Sequence, residues 1–278
     1  MSENQVITPE QLEEYMQGLY AKSKVAQKKF EREFTTNRRV DEVLRAIGMK
    51  TCEYAEELCT DALNETKMGN VNDKMSKLKG IVFGQWAICK GQNTVDYEDS
   101  PLEPGIKILY KPMGVIGCVM PSTNPVATII GNAMMALKGR NSVIIAPHPM
   151  SVRLSVKMVK LLREALESVG APADLIQCIS EEYASREATN LMMSTCDACI
   201  STGGAGRVKA AYSSGKPAFG VGQGNVQEIV DLGISDAELE RQATLCVAHR
   251  AKDNGVPCAG AQTVHIHAQQ LEQWKGYM

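Results

Sequence analysis

Asp253-Asn254-Gly255-Val256-Pro257-Cys258-Ala259-Gly260 is the run whose residue types and spacing point most directly to chemistry. Ahead of it, Leu239, Ala243, Cys246 and Val247 fall on one face of a helix predicted over 236–252. Asn254-Gly255 is a helix stop, because glycine takes the left-handed conformation without steric cost. Beyond it, Thr263-Val264-His265-Ile266 reads as a strand. A thiol in a small-residue turn between helix and strand is placed for nucleophilic attack, with backbone N–H groups free to hold an oxyanion. A buried structural cysteine is the commoner role, so the turn needs support from the rest of the chain.

Other chemistry-bearing residues are less informative. Cys196-Asp197-Ala198-Cys199 has the C-x-x-C spacing, but a second such pair and nearby histidines are missing. His265 and His267 share one face of the expected strand and read as surface residues. No metal site is expected. The nine cysteines are an odd number scattered along the chain, which suits a reducing cytoplasm better than a disulfide framework.

Hydrophobic residues make up 44% of the chain and charged ones 22%, as expected for a packed core. The net charge of −2 offers no electrostatic case for nucleic acid or an acidic membrane as partner. Met1-Ser2-Glu3-Asn4-Gln5 has no basic, then apolar, signal pattern, and no window approaches the ~18 apolar residues of a membrane span. The expectation is a cytoplasmic protein.

The elements that must position Cys258 fall into two patterns. Up to about residue 90 the chain reads as helical. Thr8-Pro9-Glu10-Gln11 is a start signal with a threonine cap, proline at the first position and glutamine at the third. An apolar stripe follows at Leu12, Tyr15, Met16 and Leu19, and the pattern continues over 39–63 and 73–90. Charges on the opposite faces read as solvated surface. A hairpin is expected near 93–112, with a strand over 106–110.

From there strands alternate with helices. Strands are expected over 115–120, 142–146, 175–179 and 198–201, with helices over 126–137, 152–169 and 185–193. This alternation predicts βαβ units and a parallel sheet covered on both faces. Ligands of such sheets bind beyond the carboxyl ends of the strands. The loops Pro121-Ser122-Thr123-Asn124-Pro125, Pro147-His148-Pro149 and Gly203-Gly204-Ala205-Gly206 lie there. Neither this last cluster nor Gly220-Val221-Gly222-Gln223-Gly224 is the G-x-G-x-x-G fingerprint. A dinucleotide is therefore expected in an unorthodox mode.

Six motifs occur together and in order. They are the Pro121–Pro125 loop, Lys138-Gly139-Arg140-Asn141-Ser142, Ala146-Pro147-His148-Pro149, the stretch from Thr202 to Pro217, Gly220-Val221-Gly222-Gln223-Gly224-Asn225, and the Asp253–Cys258 run. In this the chain resembles the CoA-acylating branch of the aldehyde dehydrogenase superfamily, most of all its succinate-semialdehyde and sulfoacetaldehyde dehydrogenases. The resemblance implies an α/β fold: a Rossmann-type parallel sheet with N-terminal helices, and a truncated catalytic domain. Residues 1–245 would hold the helices and the dinucleotide-binding domain, and 246–278 the start of the catalytic domain. It implies Cys258 as nucleophile and Asn124 as oxyanion-hole donor. Cofactor contacts would come from Ser122, Thr123, Asn124, Pro125, Pro147, His148, Gly204 and Gly222. The partners implied are NADP or NAD, coenzyme A as acyl acceptor and a small aldehyde, with a homo-oligomer in full-length members.

Hydrolytic members of the superfamily carry a water-activating glutamate at the position of Gly220. Here no carboxylate occurs from Lys216 to Gln227, so water attack on an acyl-enzyme is expected to be slow. The loop 146–153 has no acid for a ribose 2′-OH, and His148 and Arg153 suit a 2′-phosphate, which favours NADP. The family's isoleucine before the nucleophile is Pro257 here, which removes a backbone donor. Family members also continue well beyond this point, so truncation is expected. Two alternatives remain open: a remnant that binds nucleotide or a partner, and an acyl-phosphate reductase of the same superfamily.

Overall fold

A computed structural model describes residues 7–278; Met1–Gln5, read above for a signal, lies outside the described residues. Helix α1 (Pro9–Glu33) starts as predicted. Thr8 Oγ1 accepts the Gln11 N–H at 3.3 Å, and Gln11 Oε1 accepts the Thr8 N–H at 2.9 Å. The single helical stretch expected over 39–63 is two helices, α2 (Asn37–Glu53) and α3 (Ala55–Thr66), broken at Tyr54. The break lets α2 pack on the helices over the sheet while α3 packs on α4 (Val71–Cys89). The hairpin is present but short, β1 (Glu98–Asp99) against β2 (Lys107–Ile108), so the strand expected over 106–110 shrinks to two residues.

The sheet follows the predicted alternation. Its elements are β3 (Val115–Val119), α5 (Pro125–Lys138), β4 (Ser142–Ala146), α6 (Val152–Ser168), β5 (Ile176–Cys178), α7 (Arg186–Thr195), β6 (Ala198–Thr202), α8 (Ala205–Tyr212) and β7 (Ala218–Val221). All pairings are parallel, in the order β5-β4-β3-β6-β7. The chain starts in the middle at β3, runs out to β5, then returns to β6 on the other side of β3. That reversal is the switch point where open α/β sheets bind ligands.

Every residue of β3 and β4 is buried, which their near-continuous apolar runs require. Along β3, Ile116 and Cys118 face the core shared with α2–α6, while Val115 and Val119 face the core shared with α7 and Met16 of α1. Gly117 permits close approach of α7, since a Cβ there would lie 3.1 Å from Met192 Cε and 3.2 Å from Cys196 Sγ. Both C-x-x-C cysteines are buried in this second core.

Three elements were not foreseen. Helix α8 and strand β7 extend the sheet, and β8 (Val226–Val230) pairs in parallel with β9 (Ala261–Ile266) as a separate two-stranded sheet. Helices α9 (Asp236–Ala251) and α10 (Leu271–Tyr277) pack on that sheet through Leu239, Ala243 and Trp274. A division at 245/246 falls inside the continuous helix α9. No helix among the described residues is long and apolar enough to cross a membrane.

Candidate active site

Beyond β3, the chain passes through Ser122 and Thr123 to Asn124, the residue before α5, with Pro125 at the first helical position. The Asn124 carbonyl accepts the Thr128 N–H at 3.0 Å and the Thr128 hydroxyl at 2.7 Å. Its side chain does not cap the helix. The amide Nδ2 reaches only Thr123 Oγ1, at 3.4 Å, and Oδ1 is buried with no partner. Buried polar atoms are normally satisfied; Oδ1 is an open acceptor, and Nδ2 is a donor held by one long contact.

The neighbouring strand ends converge on the same edge. Pro147 is buried after β4, and His148 follows it half-buried, its Nδ1 accepting the Met150 N–H at 3.2 Å. Burial, with the nearby Arg207 charge, holds the His148 imidazole below its ordinary range. Arg207 lies in the first turns of α8, so the ends of β4 and β6 meet across the switch point. At Gly204 and Gly222 a Cβ would find no heavy atom within 4 Å. Gly204, at the start of α8, and Gly222, just past β7, thus leave open surfaces that suit close approach of a ligand.

Cys258 sits in a turn closed by Gly260 N–H donating to Pro257 C=O at 3.1 Å. It is the exposed cysteine among nine. The others are buried or half-buried, and desolvation pushes Cys59 up to about 11 and Cys118 to about 12. A Cβ at Gly224 would lie 3.1 Å from the Cys258 carbonyl oxygen, so the chain at Gly224 runs directly against the turn. Two motifs more than thirty residues apart in sequence thus share one site.

Several residues around the site escaped the sequence reading. Asp253 is fully buried, and its carboxylate takes Lys77 Nζ at 2.7 Å and Lys74 Nζ at 3.2 Å. These lysines of α4 are therefore not solvated surface, as their helix face had suggested. Together with Thr123 and Asn124 they line a cavity of ≈ 20 Å³, about the size for one water. The signal was Lys74 and Lys77 at i, i+3 spacing behind Asp73, a pattern that does not reveal its partner.

The segment after β4 also has a neighbour from a distant helix. Arg153 Nε lies 3.9 Å from Glu65 Oε1, and both line a cavity of ≈ 540 Å³ with Glu181. Glu65 also accepts the Leu154 N–H at 2.9 Å. An acid from α3 thus lies beside the segment that has none of its own. By contrast, Lys138-Gly139-Arg140-Asn141-Ser142 is structural. Lys138 pairs with Asp41 at 2.6 Å, and Asn141 bridges the Gly114 N–H and the Ala136 carbonyl. His265 contacts Gln227 across β8 and β9 at 2.6 Å.

Residues 11–276 match the aldehyde dehydrogenase family. The chain belongs to that family. It is 40% identical over 255 residues to a succinate-semialdehyde dehydrogenase (acetylating) of Clostridium kluyveri, covering 92% of this chain and 55% of that relative. Its fold matches an acetylating aldehyde dehydrogenase from Geobacillus thermoglucosidasius with a TM-score of 0.88 and 32% identity, covering 96% of this chain and 58% of the other. A Rhodopseudomonas palustris propionaldehyde dehydrogenase solved with bound propionyl-CoA matches with a TM-score of 0.81 and 28% identity, covering 94% and 57%. The chain thus spans little more than half the length of these aldehyde dehydrogenases.

Proposed function

We propose that this chain provides the nucleotide fold and the nucleophile of an NAD(P)-dependent, CoA-acylating aldehyde dehydrogenase. The aldehyde is succinate semialdehyde or a similar short polar one. The observation that carries the reading is the exposed Cys258 on a closed turn against Gly224. The 40% identity to an acetylating relative supports it, as does the Asn124 Nδ2, a donor held only by a long 3.4 Å contact to Thr123 Oγ1.

In this reading the Cys258 sulfur attacks the aldehyde carbon. The oxygen gains the negative charge and is held by the Asn124 amide and an N–H of the turn, a class of contact that contributes about 3–4 kcal/mol. Ser122–Pro125, Pro147, His148, Gly204 and Gly222 would hold the dinucleotide, which when bound would supply the hydride acceptor. Cys258 is left carrying the acyl group as a thioester. With no carboxylate from Lys216 to Gln227, the chain offers no base for water there, and the thiol of coenzyme A takes the acyl group.

The test supplies succinate semialdehyde with NAD+ or NADP+, with and without coenzyme A. It uses the chain alone and the chain extended to the length of its relatives. Acyl-CoA and reduced nicotinamide are expected only with coenzyme A, and neither from Cys258→Ser. Equal steady turnover to the free acid without coenzyme A would overturn the acylating reading.

A further inference from the structure

Asp253, Asn254 and Gly255 have φ of +48°, +55° and +74°, three successive left-handed residues just before the cysteine turn. Asp and Asn enter this region more readily than other non-glycine residues, but two in succession before a glycine are unusual and need contacts that hold them. Those contacts come from the loop between α3 and α4 and from α4 itself. Asp253 Oδ1 accepts the Asn70 N–H at 2.8 Å, and Oδ2 takes both lysines. The Asp253 N–H donates to Asp73 Oδ2 at 2.8 Å, and Asn254 Nδ2 donates to the Gly69 carbonyl at 3.1 Å. Gly69 has φ of +75°, and a Cβ there would overlap the Asp253 carboxylate. Lys74 and Lys77 also line the cavity that Thr123 and Asn124 share. One buried ion cluster therefore touches the root of the cysteine turn and the wall beside Asn124.

We propose that Asp253, clamped by Lys74 and Lys77, is the positioning residue that fixes the Cys258 turn relative to Asn124. The clamp acts through the left-handed run at 253–255, five residues ahead of the thiol, and does not touch the reacting atoms. The proposal rests on Cys258 being the nucleophile. Reaction at an oxyanion site depends steeply on alignment, and a displacement of about 1 Å costs up to ~100-fold in rate. Simple alkylation needs only an accessible thiolate.

That difference gives the test, made on the chain as it is. One arm uses p-nitrophenyl acetate. The Cys258 thiolate attacks the ester carbonyl, the S–C bond forms, the C–O bond breaks and p-nitrophenolate leaves; the acetyl adduct is followed by intact mass and peptide mapping. The other arm measures iodoacetamide alkylation of the same cysteine. For Asp253→Asn and Lys77→Met, acylation is expected to slow about tenfold or more, with alkylation within about twofold of the parent. Lys77→Arg, which keeps the charge, restores acylation. Thermal melts verify folding, and the Lys77 pair keeps the test intact if Asp253→Asn does not fold.

Unchanged acylation in folded Asp253→Asn and Lys77→Met would overturn the proposal. So would parallel loss in both arms, which marks a purely structural role. A parent chain that alkylates but never acylates at Cys258 removes the nucleophile reading and the proposal with it. That outcome is distinct from a parent that acylates alongside unaffected variants.

Discussion

The Gly220 N–H donates to the Tyr212 hydroxyl at 3.1 Å, and the tyrosine ring covers the glycine that donates to it. A Cβ at position 220 would lie 2.5 Å from Val208 Cγ1 and 2.8 Å from Tyr212 Cε2. The place where a glutamate would start is thus filled by α8. Lack of a carboxylate at this position is enforced by packing as well as by residue type.

The first expectation follows from that contact. Gly220→Ala is expected to destabilise by about 1–3 kcal/mol through overpacking. In a Tyr212→Ala background the penalty shrinks, because half of the obstruction is gone. Urea titrations of the four proteins of the cycle measure the coupling, and strictly additive effects would show that Tyr212 does not occupy the space.

Cys258 should be the first cysteine labelled by iodoacetamide near neutral pH. Exposure sets this order. Burial raises the thiols of Cys59, Cys118, Cys178, Cys196 and Cys199, leaving little thiolate on any of them. Peptide mapping after partial alkylation reads it directly, and prior labelling of Cys196 or Cys199 would contradict the described core.

Acid should loosen the chain at two carboxylates. Burial pushes the Asp253 carboxyl up, but Lys77, the Asn70 N–H and Lys74 outweigh it, leaving it below its ordinary value. Asp197 behaves the same way: burial raises it, and Lys24, the Val115 N–H and Tyr20 lower it further. A depressed folded pKa gives stability that is complete above the unfolded value, about 3.9 for aspartate, and is lost as pH falls through the folded value. Stability should therefore hold down to about pH 5 and fall below about pH 4. Asp253→Asn, where folded, should show a shallower acid decline in denaturant titrations across that window.

Glu65 is expected to favour NAD over NADP. Its carboxylate beside Arg153 offsets the cation that a 2′-phosphate would need, and Glu181 adds a second acid to the same cavity. This reverses the preference drawn from the 146–153 loop alone. Glu65→Gln should raise NADP+ affinity relative to NAD+ by roughly tenfold, about 1.4 kcal/mol, as read by calorimetry. An unchanged ratio would place the ribose elsewhere.

By itself the sequence determined the parts whose signals are local. Short, mainly apolar runs bounded by helices placed β3, β4 and β6, because parallel strands covered on both faces are predominantly apolar. Thr8 marked a helix start through a side-chain oxygen three residues from the N–H group it caps. The turn at Cys258 was legible from its glycine and its small residues. Strand β7 was not, since it alternates half-buried and exposed residues at the sheet edge and carries a glycine in its middle. Tertiary structure alone decided which distant charges meet. Lys74 and Lys77 are separated from Asp253 by 179 and 176 residues, and Glu65 from Leu154, whose N–H it accepts, by 89. Each side chain reads as ordinary surface charge along its own helix. Its burial and its partner are fixed only when the sheet brings α3 and α4 to the end of the strands, because ion pairing depends on distance in space and leaves no periodic trace in the chain.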